Sequence, residues 1–119
     1  MASEGYHEAA ESLTPRTRDL HRAIVSLMEE LEAIDWYQQR VDAAGDTALR
    51  EILAHNRDEE KEHAAMVLEW LRRQDERFDH YLRKYLFTDR PILAIEEGGN
   101  GAEAPAPPRI VGIGSLRKR

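Results

Sequence analysis

Apolar residues recur every three or four positions along two long stretches of the chain, which is the spacing of one face of an α-helix. The first stretch follows Thr14-Pro15, an N-cap residue with proline at the first helical position. This pattern predicts a helix from there to about Ala44. Gly45 is expected to end the helix in a left-handed conformation, because glycine adopts positive φ without a steric penalty.

A second helix is expected over residues 47–73, with Asp46 as its N-cap and a break near Gln74-Asp75. A shorter amphipathic segment follows to about Phe87. Arg90-Pro91 is expected to end the regular structure, because proline disfavours helical backbone in the residue before it. The predicted fold class is all-α, an antiparallel two-helix hairpin plus a short C-terminal helix.

Composition divides the chain into four segments. Residues 1–13 are predicted to be a flexible N-terminus and residues 14–95 a helical hairpin domain. Residues 96–108 are rich in Gly, Ala and Pro and are expected to be a disordered linker. Residues 109–119 hold four basic and no acidic residues, so they form a segment of a different kind.

The overall composition favours an oligomer. With 119 residues, 41% of them hydrophobic and 34% charged, a monomer buries little apolar surface to offset its ordering entropy. Cysteine is absent, which excludes thiolate metal sites. The net charge of -6 argues against nucleic-acid binding, and no apolar run is long enough to cross a membrane. A signal-peptide pattern is lacking, so a cytoplasmic protein is expected.

Each long helix has a seam, the line of positions expected to face a partner helix. On the second helix, three polar residues occupy consecutive seam positions between apolar ends. Burying a carboxylate and an imidazole costs several kcal/mol unless they are paired or bind a cation. The first-helix seam is Leu20, Ile24, Leu27, Leu31, Ile34, Gln38 and Val41; the second is Leu49, Leu53, Asn56, Glu60, His63, Val67 and Trp70.

Glu60 and His63 form a Glu-x-x-His motif, in which residues one helical turn apart can converge on one ion. Di-iron carboxylate bundles use two such motifs plus one carboxylate from each of the other two helices. This chain supplies one motif on two helices. A two-fold homodimer would double both numbers, giving a ferritin-like four-helix bundle.

The carboxylate from the first helix must be Glu29, Glu30 or Glu32. At about 100° per residue, Glu30 lies beside the seam while the other two project towards the opposite face. Rotation therefore favours Glu30. Oxygen and imidazole ligands suit iron, manganese and zinc about equally, so spacing leaves the metal open.

Simpler interpretations of these residues remain. A polar cluster in a seam can set register and oligomeric state without binding a metal. Glu29 and Glu32 have the pattern of solvated surface carboxylates, and Trp36 and Trp70 that of packing residues. His55 lies one turn from Glu59 and has the pattern of a surface histidine.

The runs MEELEAIDWY (28–37) and HNRDEEKEHAAMVLEWLRR (55–73) closely resemble the encapsulated ferritins, whose subunits are helical hairpins. The resemblance implies a ring of ten subunits built from pairs, with a di-iron ferroxidase centre between two chains. It implies a function for several side chains. The iron ligands would be Glu30, Glu60 and His63; Glu29 and Glu32 would form an outer metal site on the path of iron, with Trp36 close by, and Tyr37 would lie beside the centre.

The C-terminal run VGIGSLRKR resembles the cargo-loading peptide that directs proteins into encapsulin shells. Val111, Ile113 and Leu116 can present an apolar edge to a groove on the shell. The implied function is a ferroxidase that oxidises Fe(II) with dioxygen and supplies iron for storage inside an encapsulin nanocompartment. The alternative is a non-catalytic metal-binding scaffold or adaptor in the same shell; a peroxide-consuming or manganese-using relative would keep the same ligands.

Overall fold

The computed structural model describes residues 5–98, in which four α-helices and one 3-10 turn occur and no strand. The all-α prediction is therefore confirmed for this part of the chain. The chain divides into two compact units, Met1–Asp75 and Glu76–Arg119. The elements are a 3-10 turn at Ala10–Ser12, α1 at Pro15–Ala43, α2 at Thr47–Gln74, α3 at Glu76–Tyr85 and α4 at Ile92–Gly98.

The first long helix begins where Thr14-Pro15 predicts it. The Thr14 hydroxyl accepts a hydrogen bond from the backbone N–H of Thr17 at 3.0 Å, which satisfies one otherwise unpaired helical donor. Asp46 caps α2 in the same way, accepting from the Leu49 N–H at 2.9 Å. Both N-cap predictions are confirmed.

The expected left-handed Gly45 is wrong. No glycine in residues 5–98 has a positive φ, and Ala44 already leaves the helix in an extended conformation with φ -71° and ψ 137°. The Asp46 N-cap is also extended. Extended residues at both ends of the turn reverse the chain, so no left-handed residue is needed to connect α1 and α2.

The two long helices form an antiparallel hairpin, and three arginines donate hydrogen bonds from one helix to the other. Near the turn, Arg50 Nε donates to the Val41 carbonyl at 3.4 Å. Further along, Arg57 Nη1 donates to Gln38 Oε1 at 3.0 Å. At the open end, Arg16 Nη2 donates to the carbonyl of Gln74. These contacts set the antiparallel register of the hairpin.

The predicted seams are only partly correct. The alternate positions Ile24 and Leu31 are 47% and 54% exposed, so they lie on a flank of α1 and not in its contact with α2. On α2 the buried residues are Ala64 and Leu71, neither of which is in the predicted seam. In a hairpin each helix contacts only one other helix. The contact face is therefore narrower than the apolar face predicted from the spacing, and it is slightly rotated around the helix axis.

Few side chains of the described residues are buried: Ala64, Leu71 and Ile95, of which the first two lie in the hairpin. Large apolar side chains remain in contact with solvent, including Ile52 at 57% exposure and Met66 at 59%. An isolated hairpin with so small a core has little hydrophobic stabilisation. The fold thus supports the expectation that the chain oligomerises.

The second unit contains α3, α4 and the turn between them, in which Phe87 has the left-handed φ of 63°. The expectation that Arg90-Pro91 ends the regular structure is wrong, because α4 follows directly: the Pro91 carbonyl accepts from the N–H groups of Ala94 and Ile95 at the start of the helix. Proline disfavours helical backbone in the residue before it, here Arg90, but not in the residues that follow it. The helix extends to Gly98, past the predicted boundary at residue 95.

Several predictions fall partly or wholly outside the described residues. Of the N-terminal segment, residues 5–13 contain only the turn Ala10–Ser12. Residues 99–108 of the linker and the segment 109–119, with Val111, Ile113 and Leu116, lie outside the described range. In the described part, no helix has both the length and the apolar content that crossing a membrane requires.

Candidate metal centre

Three side chains from the two long helices converge midway along the hairpin. His63 Nδ1 lies 3.3 Å from Glu60 Oε1 and 3.6 Å from Glu30 Oε1. One ligand atom from each of the three lies within 4.8 Å of the others. Within residues 5–98, no other group of three or more His, Cys, Asp or Glu side chains brings its potential ligand atoms this close together. The structure therefore brings together Glu30, Glu60 and His63.

The local sequence explains this convergence. Glu60 and His63 stand one turn apart on α2, so their side chains point to the same side of the helix. Glu30 lies in the antiparallel helix opposite them, and its selection over Glu29 agrees with the rotation of α1, since Glu29 is exposed. Side-chain exposures of 25% for Glu30, 23% for Glu60 and 44% for His63 show that the hairpin covers the cluster on one side only.

The electrostatics of the cluster reflect two carboxyls held together. The hydrogen bond between Glu30 and Glu60, assisted by desolvation and by repulsion from Glu60, raises the pKa of Glu30. The same hydrogen bond lowers the pKa of Glu60, which retains its charge. The pKa of His63 is raised, first by its hydrogen bond with Glu60 and then by the charge of Glu30. Two neighbouring carboxyls and an imidazole thus favour a shared positive charge between them, which a bound cation could supply.

The donor set fits a divalent first-row metal, iron among them. Carboxylate oxygens and an imidazole nitrogen bind such a metal at about 2.0 to 2.2 Å, which places neighbouring ligand atoms about 3 Å apart. His63 Nδ1 lies 3.3 Å and 3.6 Å from the two carboxylates and all three atoms lie within 4.8 Å of one another, so metal binding would draw the side chains closer together. The hairpin supplies three protein ligands, fewer than iron usually takes, and leaves the remaining positions for another donor.

The other predicted residues lie outside this cluster. Glu29 is exposed and Glu32 half-buried on the first long helix, and neither belongs to a described group of three potential ligands. Trp36 is 51% exposed. Tyr37 is half-buried, with the Arg40 guanidinium carbon 5.3 Å from its ring centroid. Nothing in the described residues assigns an outer metal site to Glu29 and Glu32, which stays a prediction.

His55 and Glu59 are another histidine and carboxylate one turn apart on α2, so their geometry as potential metal ligands can be compared with that of the cluster. His55 Nε2 lies 3.5 Å from Glu59 Oε2, but the side chains are 69% and 52% exposed. This is a solvent-exposed contact between residues one turn apart on the same helix, and such contacts contribute little. The interpretation of His55 as a surface histidine agrees with this exposure.

Sequence reasoning missed the contact between Gln38 and Arg57, one turn from Glu60. The signal was present, because Gln38 occupies a slot in an otherwise apolar seam. Spacing shows that a polar residue is out of place but does not identify its partner on another helix.

An open groove adjoins the cluster. It is lined by Ala23 and Ser26 on α1 and by Met66, Val67 and Trp70 on α2, among others. Ser26 comes four residues before Glu30 and Met66 three residues after His63, so groove and cluster share one face of the hairpin. We call this the site face. It combines an open groove with the exposed side of the Glu30, Glu60 and His63 cluster.

The chain is similar to proteins of known sequence and structure. A family profile described as EncFtn-like matches residues 5–89. An encapsulated ferritin-like protein of Rhodospirillum rubrum is 57% identical, with the match covering 98% of this chain and 86% of the relative. A ferritin-like protein of Thermotoga maritima is 56% identical over 83% of this chain and 87% of the relative.

An encapsulin nanocompartment cargo protein of Myxococcus xanthus is 32% identical, over 90% of this chain and 94% of the relative. A crystal structure of a Nitrosomonas europaea protein superposes with a TM-score of 0.72 at 64% identity, covering 74% of this chain and 97% of that one. The profile match spans most of the chain, and these identities extend across both long helices. The chain therefore belongs to the EncFtn-like family.

Proposed function

We propose that the chain is a ferroxidase that oxidises Fe(II) to Fe(III) with dioxygen at a centre formed by Glu30, Glu60 and His63 of two subunits. The observation that supports this most directly is the convergence of the three side chains, with one ligand atom of each within 4.8 Å of the others. The EncFtn-like family matches most of the chain, and a relative that matches nearly all of it is named an encapsulated ferritin-like protein, which favours iron as the metal.

The centre needs a second copy of the chain. One hairpin provides three ligands, and His63 is 44% exposed on the site face. A two-fold axis through this face would bring the same three residues from the other copy and would complete a four-helix bundle around two irons. Covering the site face would also bury Met66 and Trp70, which the isolated hairpin leaves exposed.

The residues have distinct chemical tasks in this proposal. The carboxylates of Glu30 and Glu60 are hard, anionic donors that can hold both Fe(II) and Fe(III), and the neutral imidazole of His63 completes the set. Each Fe(II) transfers one electron to dioxygen, so two irons in one centre supply two electrons together. The raised pKa values of Glu30 and His63 mean that protons compete with the metal for these two side chains over a wider pH range than for an isolated carboxyl or imidazole.

The C-terminal segment supports a function inside a shell. Relatives are named an encapsulated ferritin-like protein and an encapsulin nanocompartment cargo protein. We infer that residues 109–119, through Val111, Ile113 and Leu116, bind an encapsulin shell after the linker of residues 96–108. The protein would then reside in the nanocompartment and supply ferric iron for storage. A ring of ten subunits is part of this proposal.

An anaerobic Fe(II) titration followed by air exposure tests the proposed centre. We expect one iron to bind per chain and the ferric absorbance to grow rapidly on exposure to air. The mass of the assembly should correspond to an even number of chains. Metal binding without oxidation above the buffer rate would support the alternative, a metal-binding scaffold. Hydrogen peroxide in place of air, and Mn(II) in place of Fe(II), distinguish the peroxide-consuming and manganese-using alternatives.

Variants test the ligands. Glu30→Ala, Glu60→Ala and His63→Ala should each abolish rapid oxidation and retain helicity by circular dichroism. Glu51→Ala is a matched control, because Glu51 is an exposed carboxylate on the same helix as Glu60. Wild-type oxidation by Glu60→Ala would contradict the proposal. Deletion of residues 110–119 should leave oxidation unchanged and abolish co-purification with a shell protein; normal loading of the truncated chain would refute the function of the tail.

A further inference from the structure

Gln38 takes a position of the predicted first-helix seam, is exposed in the structure, and connects both long helices through its amide. Its Oε1 accepts from Arg57 Nη1 at 3.0 Å, and its Nε2 donates to Asp42 Oδ1 at 3.0 Å. Arg57 Nε in turn donates to Asp58 Oδ1 at 2.9 Å. The two hydrogen bonds fix the orientation of the Gln38 amide. Its N–H group donates to a residue of α1, and its oxygen accepts from a residue of α2.

The pair lies close to the proposed metal centre. Arg57 precedes Glu60 by one turn of α2, which is a rise of about 4.5 Å along the helix axis. Its side chain is 19% exposed, less than that of either site carboxylate. The other arginine contacts between the helices, from Arg50 and Arg16, lie near the two ends of the hairpin. Gln38–Arg57 is therefore the contact of these three that is nearest to the ligands.

We infer that Gln38 and Arg57 are positioning residues, whose hydrogen bond fixes the turn of α2 that carries Glu60 relative to the helix that carries Glu30. This inference rests on the proposed function of the cluster. Apolar contacts are non-directional, so the seam alone allows small rotations and shifts between helices. A hydrogen bond from a planar guanidinium to an amide oxygen has a narrow optimum in distance and angle.

Ligand geometry makes such positioning consequential. A metal centre requires its ligands within about 0.5 Å of the productive geometry. Groups that hydrogen-bond to a metal ligand typically contribute 10- to 100-fold to metal affinity, although they do not touch the metal. Gln38 and Arg57 bond to each other and not to a ligand, so they act through the helices that carry the ligands and a smaller effect is expected.

Gln38→Leu separates positioning from stability. Gln38 is exposed, so leucine leaves no cavity and the melting temperature should change little. Co(II) affinity should fall by up to about tenfold, and the Co(II) ligand-field spectrum should change, because the ligands lose their alignment. Gln39→Leu is the matched control: Gln39 is the adjacent glutamine, also exposed, and its Nε2 donates to Asp35 Oδ1 of its own helix at 3.2 Å. It should bind Co(II) as the wild type does.

Two further variants complete the test in the full-length chain. Gln38→Glu retains an acceptor for Arg57 and should restore affinity and spectrum, whereas Arg57→Met should reproduce the effect of Gln38→Leu. Wild-type Co(II) affinity and spectrum in both Gln38→Leu and Arg57→Met would overturn the inference, as would equal weakening by Gln38→Glu and Gln38→Leu. If Gln38→Leu does not fold, Arg57→Met and Gln38→Glu provide the same comparison.

The Co(II) measurements also keep this inference separate from the ferroxidase proposal. A wild-type chain that binds Co(II) but does not oxidise Fe(II) refutes the activity and leaves the positioning of the metal ligands testable. A wild-type chain that oxidises Fe(II), together with unaffected Gln38→Leu and Arg57→Met variants, refutes only the positioning.

Discussion

Replacing Trp70 with alanine should weaken the pairing of two hairpins through the site face. Trp70 stands seven residues after His63, two helical turns along the same face of α2. It lines the groove beside the metal cluster, and 40% of its surface is exposed in the hairpin. A partner that covers the cluster would therefore cover the exposed part of Trp70 as well.

The expected magnitude follows from that exposed surface. A tryptophan side chain has about 250 Å² of surface, so about 100 Å² of Trp70 is available to a partner. At about 25 cal/mol per Å², burial contributes about 2.5 kcal/mol from each chain. Two-fold symmetry doubles this to about 5 kcal/mol, or three to four orders of magnitude in the dissociation constant at full coverage. Coverage of one third would still weaken pairing about tenfold.

Sedimentation over a range of protein concentrations, with and without Co(II), measures the dissociation constant of the pair. The matched control is Trp36→Ala, because Trp36 has 51% exposure but lies about half a turn around α1 from the Leu27 and Ile34 seam. Only Trp70→Ala should dissociate at micromolar concentration. If pairing completes the centre, as proposed, the same variant should bind Co(II) more weakly at low protein concentration than at high concentration.

Two outcomes would refute this reasoning. If Trp70→Ala pairs as tightly as the wild type and Trp36→Ala does not, the partner covers the opposite side of the hairpin. If Trp70→Ala separates the chains but leaves Co(II) affinity independent of protein concentration, the centre is complete in one chain.

Further predictions concern protonation and the helix ends. Co(II) affinity should rise as the pH increases through and beyond 6.5, the ordinary pKa of histidine, because the raised pKa of His63 favours a proton that competes with the metal. The number of protons released when Co(II) binds, measured with a pH indicator over about pH 6 to 8, should decrease as the pH rises. A constant number of released protons would contradict the assignment of His63 as a ligand. Gly45→Ala should stabilise the protein by about 0.4 to 1 kcal/mol, because Gly45 has no positive φ and no atom within 4 Å of an added Cβ; a lower melting temperature would refute this. Thr14→Ala should lower the free energy of unfolding by about 1 kcal/mol through loss of the N-cap, while Thr14→Ser should not; equal effects of the two in denaturant titrations would exclude the capping hydroxyl as the cause.

The hairpin could be predicted because its signals are local. Thr14-Pro15 and Asp46 act through their own first turns, and the proximity of Glu60 and His63 follows from helical spacing. The position of Glu30 opposite them followed from its rotation on α1. Each of these inferences needs only the geometry of one helix and the fact that the two helices pair.

What could not be predicted depends on contacts between elements. The burial of Ala64 and Leu71 reflects the rotation of α2 against α1, which apolar spacing defines only to within about one residue. The partner of Gln38 lies 19 residues away in the sequence and could be found only in the folded chain. The helix after Pro91 was missed because a proline restricts the backbone of the residue before it and does not prevent a helix from starting after it.

The proposed symmetric centre, in which each chain carries one half, would have an evolutionary consequence. One gene would specify both halves, so every substitution at Glu30, Glu60 or His63 would appear twice in the assembled site and alter both irons together. The two irons could not acquire different ligands by point mutation. Gene duplication, followed by divergence of the copies or their fusion into one four-helix subunit, would release that restriction and allow one iron position to specialise.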